Sequence, residues 1–336
     1  MVTVLSYGEI MLRLTAPNYL RLDQTEQVRM DFVGTGVNVL ASLRQLGHCV
    51  MLSSAVPDNN LGQAAVASMR KLDIGTEYVD LVGSHLGSFF VETGYGLRRT
   101  EVTYQNRLNS SFCTQSRNDS ELTLRVRTAE YIHICGITLS LTDVTRHGAF
   151  VIAKGAKTYN KKVYFDFNYR PSLNETNELL QMRTYYEQML PYCYGVFGNL
   201  KDLTILLGME KKEGLTDAEQ LIHLGGIFME KYDISVFAGT IREEGDKSRI
   251  RGFILTKEET YFTHFYDLTT LDRIGAGDAY AAGVIHGLST GWSLEKTAHF
   301  SVANSVLAHA TFGDIPRATE AQIDAYLKNP HVRLIR

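Results

Sequence analysis

An α/β fold with a mainly parallel sheet, carrying a second and smaller β-sheet, is predicted by three features of the sequence. Short apolar strands alternate with helical periodicities along most of the 336 residues, the pattern of a sheet covered on both faces. Two glycine turns, Gly34-Thr35-Gly36 and Gly275-Ala276-Gly277, each open directly into a helix. Asp166, Asn168, Arg170, Asn199 and Gly239 fall just past predicted strand ends, where open parallel sheets bind ligands.

Taken in order, residues 2–14 read as one strand and 20–32 as a second strand or ribbon. Leu40, Leu43 and Leu46 share one helical face after the first glycine turn, with Gly47 as the stop. A strand at 49–55, a helix at 61–72 and a short strand at 78–82 follow. Residues 87–106 alternate around Gly94-Tyr95-Gly96 and read as a hairpin with one wet face. With about 10–32, this stretch predicts a lid sheet. From residue 131 strands and helices alternate again: strands at 131–135, 162–167, 194–197 and 234–238, and helices at 142–157, 178–190, 200–207 and 216–230. A hairpin at 250–263 and helices at 279–288, 293–310 and 320–327 end the chain. One domain over residues 1–336 is expected.

Composition narrows the function. The chain is 44% hydrophobic and 21% charged, so a sizeable core is expected. Its net charge of −3, from 34 basic and 37 acidic residues, gives no electrostatic case for nucleic acid or membrane partners. Cys49, Cys113, Cys135 and Cys193 form no C-x-x-C pair and have no histidine at finger spacing, which argues against a zinc site or a disulfide framework. Residues 1–14 lack a basic n-region and contain Glu9, so no signal peptide is read and a cytoplasmic protein is expected.

The second glycine turn carries the chemistry. Gly275 and Gly277 let a ligand approach the backbone, and unpaired N–H groups at a helix start attract an anion. Asp278 is itself an anion there, which makes sense if it accepts a proton from a hydroxyl attacking phosphorus. Competing motifs fail. Gly239 to Ser248 lacks P-loop spacing, and neither glycine turn has the third glycine of a dinucleotide fingerprint. Gly287-Leu288-Ser289-Thr290-Gly291 follows a helix rather than a strand, unlike a nucleophile elbow.

In both glycine turns, Asp166-Phe167-Asn168-Tyr169-Arg170-Pro171 and the lid pattern, the chain resembles the ribokinase-like (PfkB) sugar kinases along nearly its whole length. Residues 34–47 resemble that family's first signature and 272–283 its second. Gly8-Glu9, the 166–171 segment, Tyr104/Arg107 and Gly313-Asp314 resemble the members that phosphorylate 2-keto-3-deoxygluconate. The resemblance implies a three-layer sandwich with a β-sheet lid, and ATP and Mg2+ as cofactors. It makes Asp278 the base, with Gly275, Ala276 and Gly277 as the anion hole. It gives the sugar hydroxyls to Gly34 and Asn38, and the substrate carboxylate to Arg170, whose guanidinium suits bidentate pairing. Phe89, Tyr104 and Arg107 are implied as lid contacts and Asp314 as a contact from the C-terminal helices. Asn168, Asn199, Gly239, Thr240 and Asn304, with Gly275 and Gly277, are implied around ATP, with Asn199 and Asp202 near magnesium. A homodimer through the lid, using Leu20, Leu22, Val28 and Met30, is expected. Arg273, Thr35 and Asp202 depart from the family's usual Thr, Gly and Glu, and Tyr104-Gln105-Asn106-Arg107 is one residue longer than its usual lid motif. Three other readings stand: a kinase of fructose or another neutral sugar, a catalytically silent sugar- or nucleotide-binding regulator, and, more distantly, a hydrolase using Ser289.

Overall fold

A computed structural model describes residues 1–170, 179–243 and 248–330. In chain order its elements begin with β1 (Thr3–Tyr7), β2 (Met11–Thr15), β3 (Arg29–Val33), α1 (Thr35–Gln45), β4 (Cys49–Val56), α2 (Asn60–Lys71) and β5 (Gly75–Leu81). Next come β6 (Ser88–Glu92), β7 (Glu101–Gln105), α3 (Ser111–Thr114), α4 (Asp119–Val126), β8 (Tyr131–Cys135), α5 (Ile137–Leu141), α6 (Asp143–Thr158), β9 (Lys162–Asp166) and α7 (Leu179–Met189). The remainder is β10 (Gly195–Phe197), α8 (Asp217–Tyr232), β11 (Val236–Glu243), β12 (Arg249–Thr256), β13 (Thr260–Phe262), β14 (Tyr266–Asp267), α9 (Ala276–Ser289), α10 (Leu294–His309) and α11 (Glu320–Lys328).

The central sheet runs β13-β12-β11-β10-β9-β8-β1-β4-β5, with β14 beside β12. Pairing is parallel from β5 through β11 and antiparallel from β11 to β13. Strand residues alternate between two cores. Leu5 and Tyr7 join the cluster under α3 to α8, while Val4 joins the one under α1, α2, α9 and α10. Period-two alternation in a doubly covered sheet produces that split, and hence three layers. The parallel stretch also sends the carboxyl ends of β1, β8, β9 and β10 to one edge.

The second sheet is β3-β2-β6-β7. Residues 2–14 therefore differ from the single strand expected of them. This is not one strand but two, broken at Gly8-Glu9-Ile10, with β1 in the central sheet and β2 in the lid. Apolar alternation continues on both sides of the break, which hid it. Residues 20–32 are also not one strand. Pairing starts at Arg29, and 3-10 turns at Pro17–Tyr19 and Leu22–Gln24 precede it. Helices α3, α4 and α5 were not read from the sequence, because each is short and offers little periodicity. The expected helix at 200–207 is a π-helical turn, Asp202–Leu206.

Candidate active site

Helix α9 begins at Gly275, whose φ of 84° is left-handed, and no side chain caps its first turn. Its early N–H groups therefore stay available to an anion. A Cβ on Gly277 would meet nothing within 4 Å, whereas one on Gly275 would run into the carbonyl oxygen of Asp314. Gly275 thus permits close packing beneath the turn, and Gly277 keeps the space above it open.

Asp278 lies in that first turn and is 5% exposed. Its Oδ2 accepts a hydrogen bond of 2.7 Å from Asn38 Nδ2 on α1. Burial pushes its carboxyl up to about 8. The Asn38 bond opposes this, the charges of Asp166 and Asp314 add to it, and Arg170 opposes it. Such a carboxylate is a far stronger base than an exposed aspartate.

The ends of β9 and β10 supply a second acidic group. Burial first, and then the charge of Asp202, lift Asp166 to about 7, against the nearby Arg170. Burial likewise lifts Asp202 to about 6, although its Oδ2 accepts the Asn199 N–H at 2.8 Å. Arg170 is exposed and lies in the electrostatic field of Asp166, Asp202 and Asp278. Asn168 stands just past β9 with a left-handed φ of 38°, and its Oδ1 is buried without a partner.

The lid closes over this edge. Met11, Val33, Phe89 and Val91 pack with Ile274 and Ile315, the neighbours of the glycine turn and of Asp314. Phe89 and Tyr104 are cross-strand partners with ring centroids 5.8 Å apart. Arg107 follows β7 and is buried, its guanidinium paired with Glu9 and lying 4.8 Å from the Tyr104 ring centre. Its Nη1 is buried with no partner. Gly34 sits tight against the Gly8-Glu9-Ile10 break between β1 and β2, the hinge between the two sheets, since a Cβ there would strike the Glu9 carbonyl.

Several expected residues are placed differently. Asn304 does not open to a groove. It is fully buried, and its Nδ2 donates to Ser42 Oγ and the Ala279 carbonyl, stapling α10 to α1 and α9. Gly239 and Thr240 are not past the end of their strand but inside β11, which continues to Glu243 by pairing with β12. They do lie beyond the end of the neighbouring β10, and Gly239 packs against the Gly198 carbonyl. Asp314 is on the turn after α10 rather than on a helix, and one of its carboxylate oxygens is engaged by Arg13.

Glu9, Arg13 and Asp272 are buried, ion-paired residues beneath the site to which the sequence assigns no role. Arg13 had a usable signal: a charge sharing a strand face with Met11 and Thr15, the inward face of an amphipathic strand. Among the described residues no group of three or more His, Cys, Asp or Glu could hold a metal ion by itself. None of the described helices is long and apolar enough to cross a membrane.

A profile of the pfkB family of carbohydrate kinases matches residues 1–320. The chain belongs to that family. A Haloferax volcanii protein, 2-dehydro-3-deoxygalactonokinase, is 23% identical over 325 residues, covering 97% of this chain and 96% of its own. The crystal structure of an Enterococcus faecalis protein provisionally named 2-keto-3-deoxygluconate kinase superposes with a TM-score of 0.96 at 46% identity, covering 100% of this chain and 99% of its own. That of 2-dehydro-3-deoxygluconokinase from Thermotoga maritima gives 0.90 at 27% identity, covering 98% of each chain. These likenesses agree with the ribokinase-like α/β architecture expected from the sequence.

Proposed function

We propose that this chain is an ATP-dependent kinase that phosphorylates the primary hydroxyl of 2-keto-3-deoxygluconate, yielding 2-keto-3-deoxy-6-phosphogluconate. The observation that carries the reading is Asp278, buried in the uncapped first turn of α9 beside the open face of Gly277. A base and an anion hole there share one turn. Relatives named for 2-keto-3-deoxy sugar acids support the substrate.

Asp278 accepts the hydroxyl proton as oxygen attacks phosphorus, and the amides of Gly275, Ala276 and Gly277 hold the transferring oxygens. Asn38 fixes the Asp278 carboxylate with one end and offers its orphaned Oδ1 to a sugar hydroxyl beside Gly34. Arg170 takes the substrate carboxylate. Phe89, Tyr104 and Arg107 close from the lid, with the unpartnered Nη1 of Arg107 as donor. Buried orphans of this kind cost about 1–3 kcal/mol each unless something pairs with them, and a polyhydroxy acid can satisfy all of these. Asn168, Asn199, Gly239 and Thr240 line the nucleotide side.

Magnesium neutralises phosphate charge in such transfers, and it prefers a few carboxylate oxygens plus water and phosphates. The poorly solvated pair Asp166 and Asp202 fits that preference. Asp202 would face the ion, with Asn199 holding it through its N–H.

The test is ADP release with magnesium-ATP across 2-keto-3-deoxygluconate, its galactonate epimer, fructose, ribose and adenosine. Turnover confined to the keto-acids supports the proposal, and turnover with fructose or ribose moves the specificity to neutral sugars. Arg170→Ala is expected to lower kcat/KM for the keto-acid by about 10–100-fold, the worth of a charge-assisted pair, and to leave any neutral-sugar activity unchanged. An equal loss for both classes refutes the role of Arg170.

A single kinase domain, a cytoplasmic location and a homodimer complete the proposal. All four cysteines are free thiols, as in a reducing compartment. The lid's outer face aligns Met30, Leu14 and Phe90 in register, Val28 and Met30 are exposed, and Leu20 and Leu22 are partly buried. A monomeric mass in light scattering at micromolar concentration refutes the dimer.

A further inference from the structure

Arg13 sits on β2, 301 residues before Asp314 and 259 before Asp272, and is 1% exposed. Its Nη2 donates to Asp272 Oδ2 at 2.6 Å, its Nη1 pairs with Asp314 Oδ1, and its Nε donates to Thr15 Oγ1 at 2.9 Å. Asp272 passes the connection on. Its Oδ1 accepts the Ile274 N–H at 3.1 Å and its Oδ2 the Gly313 N–H at 3.3 Å. Asp314 passes it on as well, because its carbonyl lies where a Cβ of Gly275 would stand. One guanidinium therefore joins the lid sheet, the approach to the glycine turn and the loop packed beneath that turn.

We propose that Arg13 is a positioning residue for phosphoryl transfer: an internal cation that holds the 272–275 turn and the Gly313-Asp314 loop in register, so that the first amides of α9 point at the transferring phosphoryl group. The proposal rests on the kinase reading above. Its physical basis is that two carboxylates so close to an anion hole repel each other and the phosphoryl oxygens unless a fixed positive charge lies between them. Arginine's planar fork serves both carboxylates at once, whereas a lysine ammonium offers a compact point charge. Being tethered to β2, the charge also ties the geometry of the turn to a lid strand.

Arg13→Met is expected to lower kcat about 100-fold, the usual cost of misplacing reacting groups by an ångström, with KM for ATP and for the sugar acid little changed. Millimolar guanidinium should restore at least part of that loss in the variant and none in the parent enzyme. Arg13→Lys should fall between the two. Should Arg13→Met fail to fold, the triple variant R13M/D272N/D314N removes the uncompensated charges, and is expected to fold and still turn over about 100-fold slowly. A parental kcat in either folded variant overturns the proposal. So does a loss in Arg13→Met that guanidinium leaves untouched and that follows only the fraction of folded protein. A parent enzyme inactive on every sugar would instead overturn the kinase reading.

Discussion

Asp278→Asn is expected to fold, to bind ATP and to lose two to four orders of magnitude in kcat, the usual scale for a general base. The same change should raise the melting temperature. Burial lifts the Asp278 carboxyl to about 8 in the folded protein, against about 3.9 in an unfolded chain. The native state therefore holds a proton that the unfolded state has released. The stability from this group is full below about pH 4 and is lost as pH rises through about 8. An amide has no proton to lose, so the variant escapes that cost, and its advantage grows from pH 5 to pH 9. Calorimetry at those two values checks it, with a gain of a few degrees expected at the upper one. In the parent enzyme kcat/KM should climb with pH toward about 8, where Asp278 ionises, and that limb should vanish in the variant. Near-normal turnover by Asp278→Asn sinks the assignment of the base.

The two glycines of the second turn should respond to alanine in opposite ways. Gly277→Ala places a methyl group in space that holds no protein atom within 4 Å, and alanine is the better helix former. The melting temperature should hold or rise slightly. The methyl group occupies the approach to the α9 amides, so kcat/KM should fall about 100-fold or more, the scale of losing an oxyanion contact. Gly275→Ala meets a left-handed φ of 84° and the Asp314 carbonyl together. It should therefore lose stability as well as activity. Paired melting curves and initial rates distinguish the two cases. Unaltered kinetics in Gly277→Ala would remove the anion hole from this turn.

Most of the central sheet was legible because its signals are local. Apolar runs mark strands, Gly47 does stop α1 with φ 84°, and both glycine turns do open helices. The turn and the aspartate proposed as the base were legible for the same reason, since Gly275 to Asp278 are contiguous. What escaped is what depends on distant partners. Nothing near Arg13 announces Asp272 or Asp314, and nothing near Glu9 announces Arg107, 98 residues away. The end of β11 was misread because its extension past Ala238 comes from β12, not from its own residues. The family resemblance places Asn304 at a groove, while its neighbours Ser42 and Ala279 are fixed only by how three helices pack.

The break at Gly8-Glu9-Ile10 limits how this enzyme can be recombined. One uninterrupted segment gives β1 to the middle of the large sheet and, after three intervening residues, β2 to the interior of the small one. The lid is therefore not a cassette. A chimera that borrows a relative's lid must exchange residues 11–33 and 88–105 together, with Gly8, Glu9 and Arg107 kept as a matched set. A crossover between β1 and β2 alone would give the hinge to one parent and its buried counter-charge to the other. Viable crossovers should cluster instead in the long stretch after Arg107, between parents that share Arg13, Asp272 and Asp314.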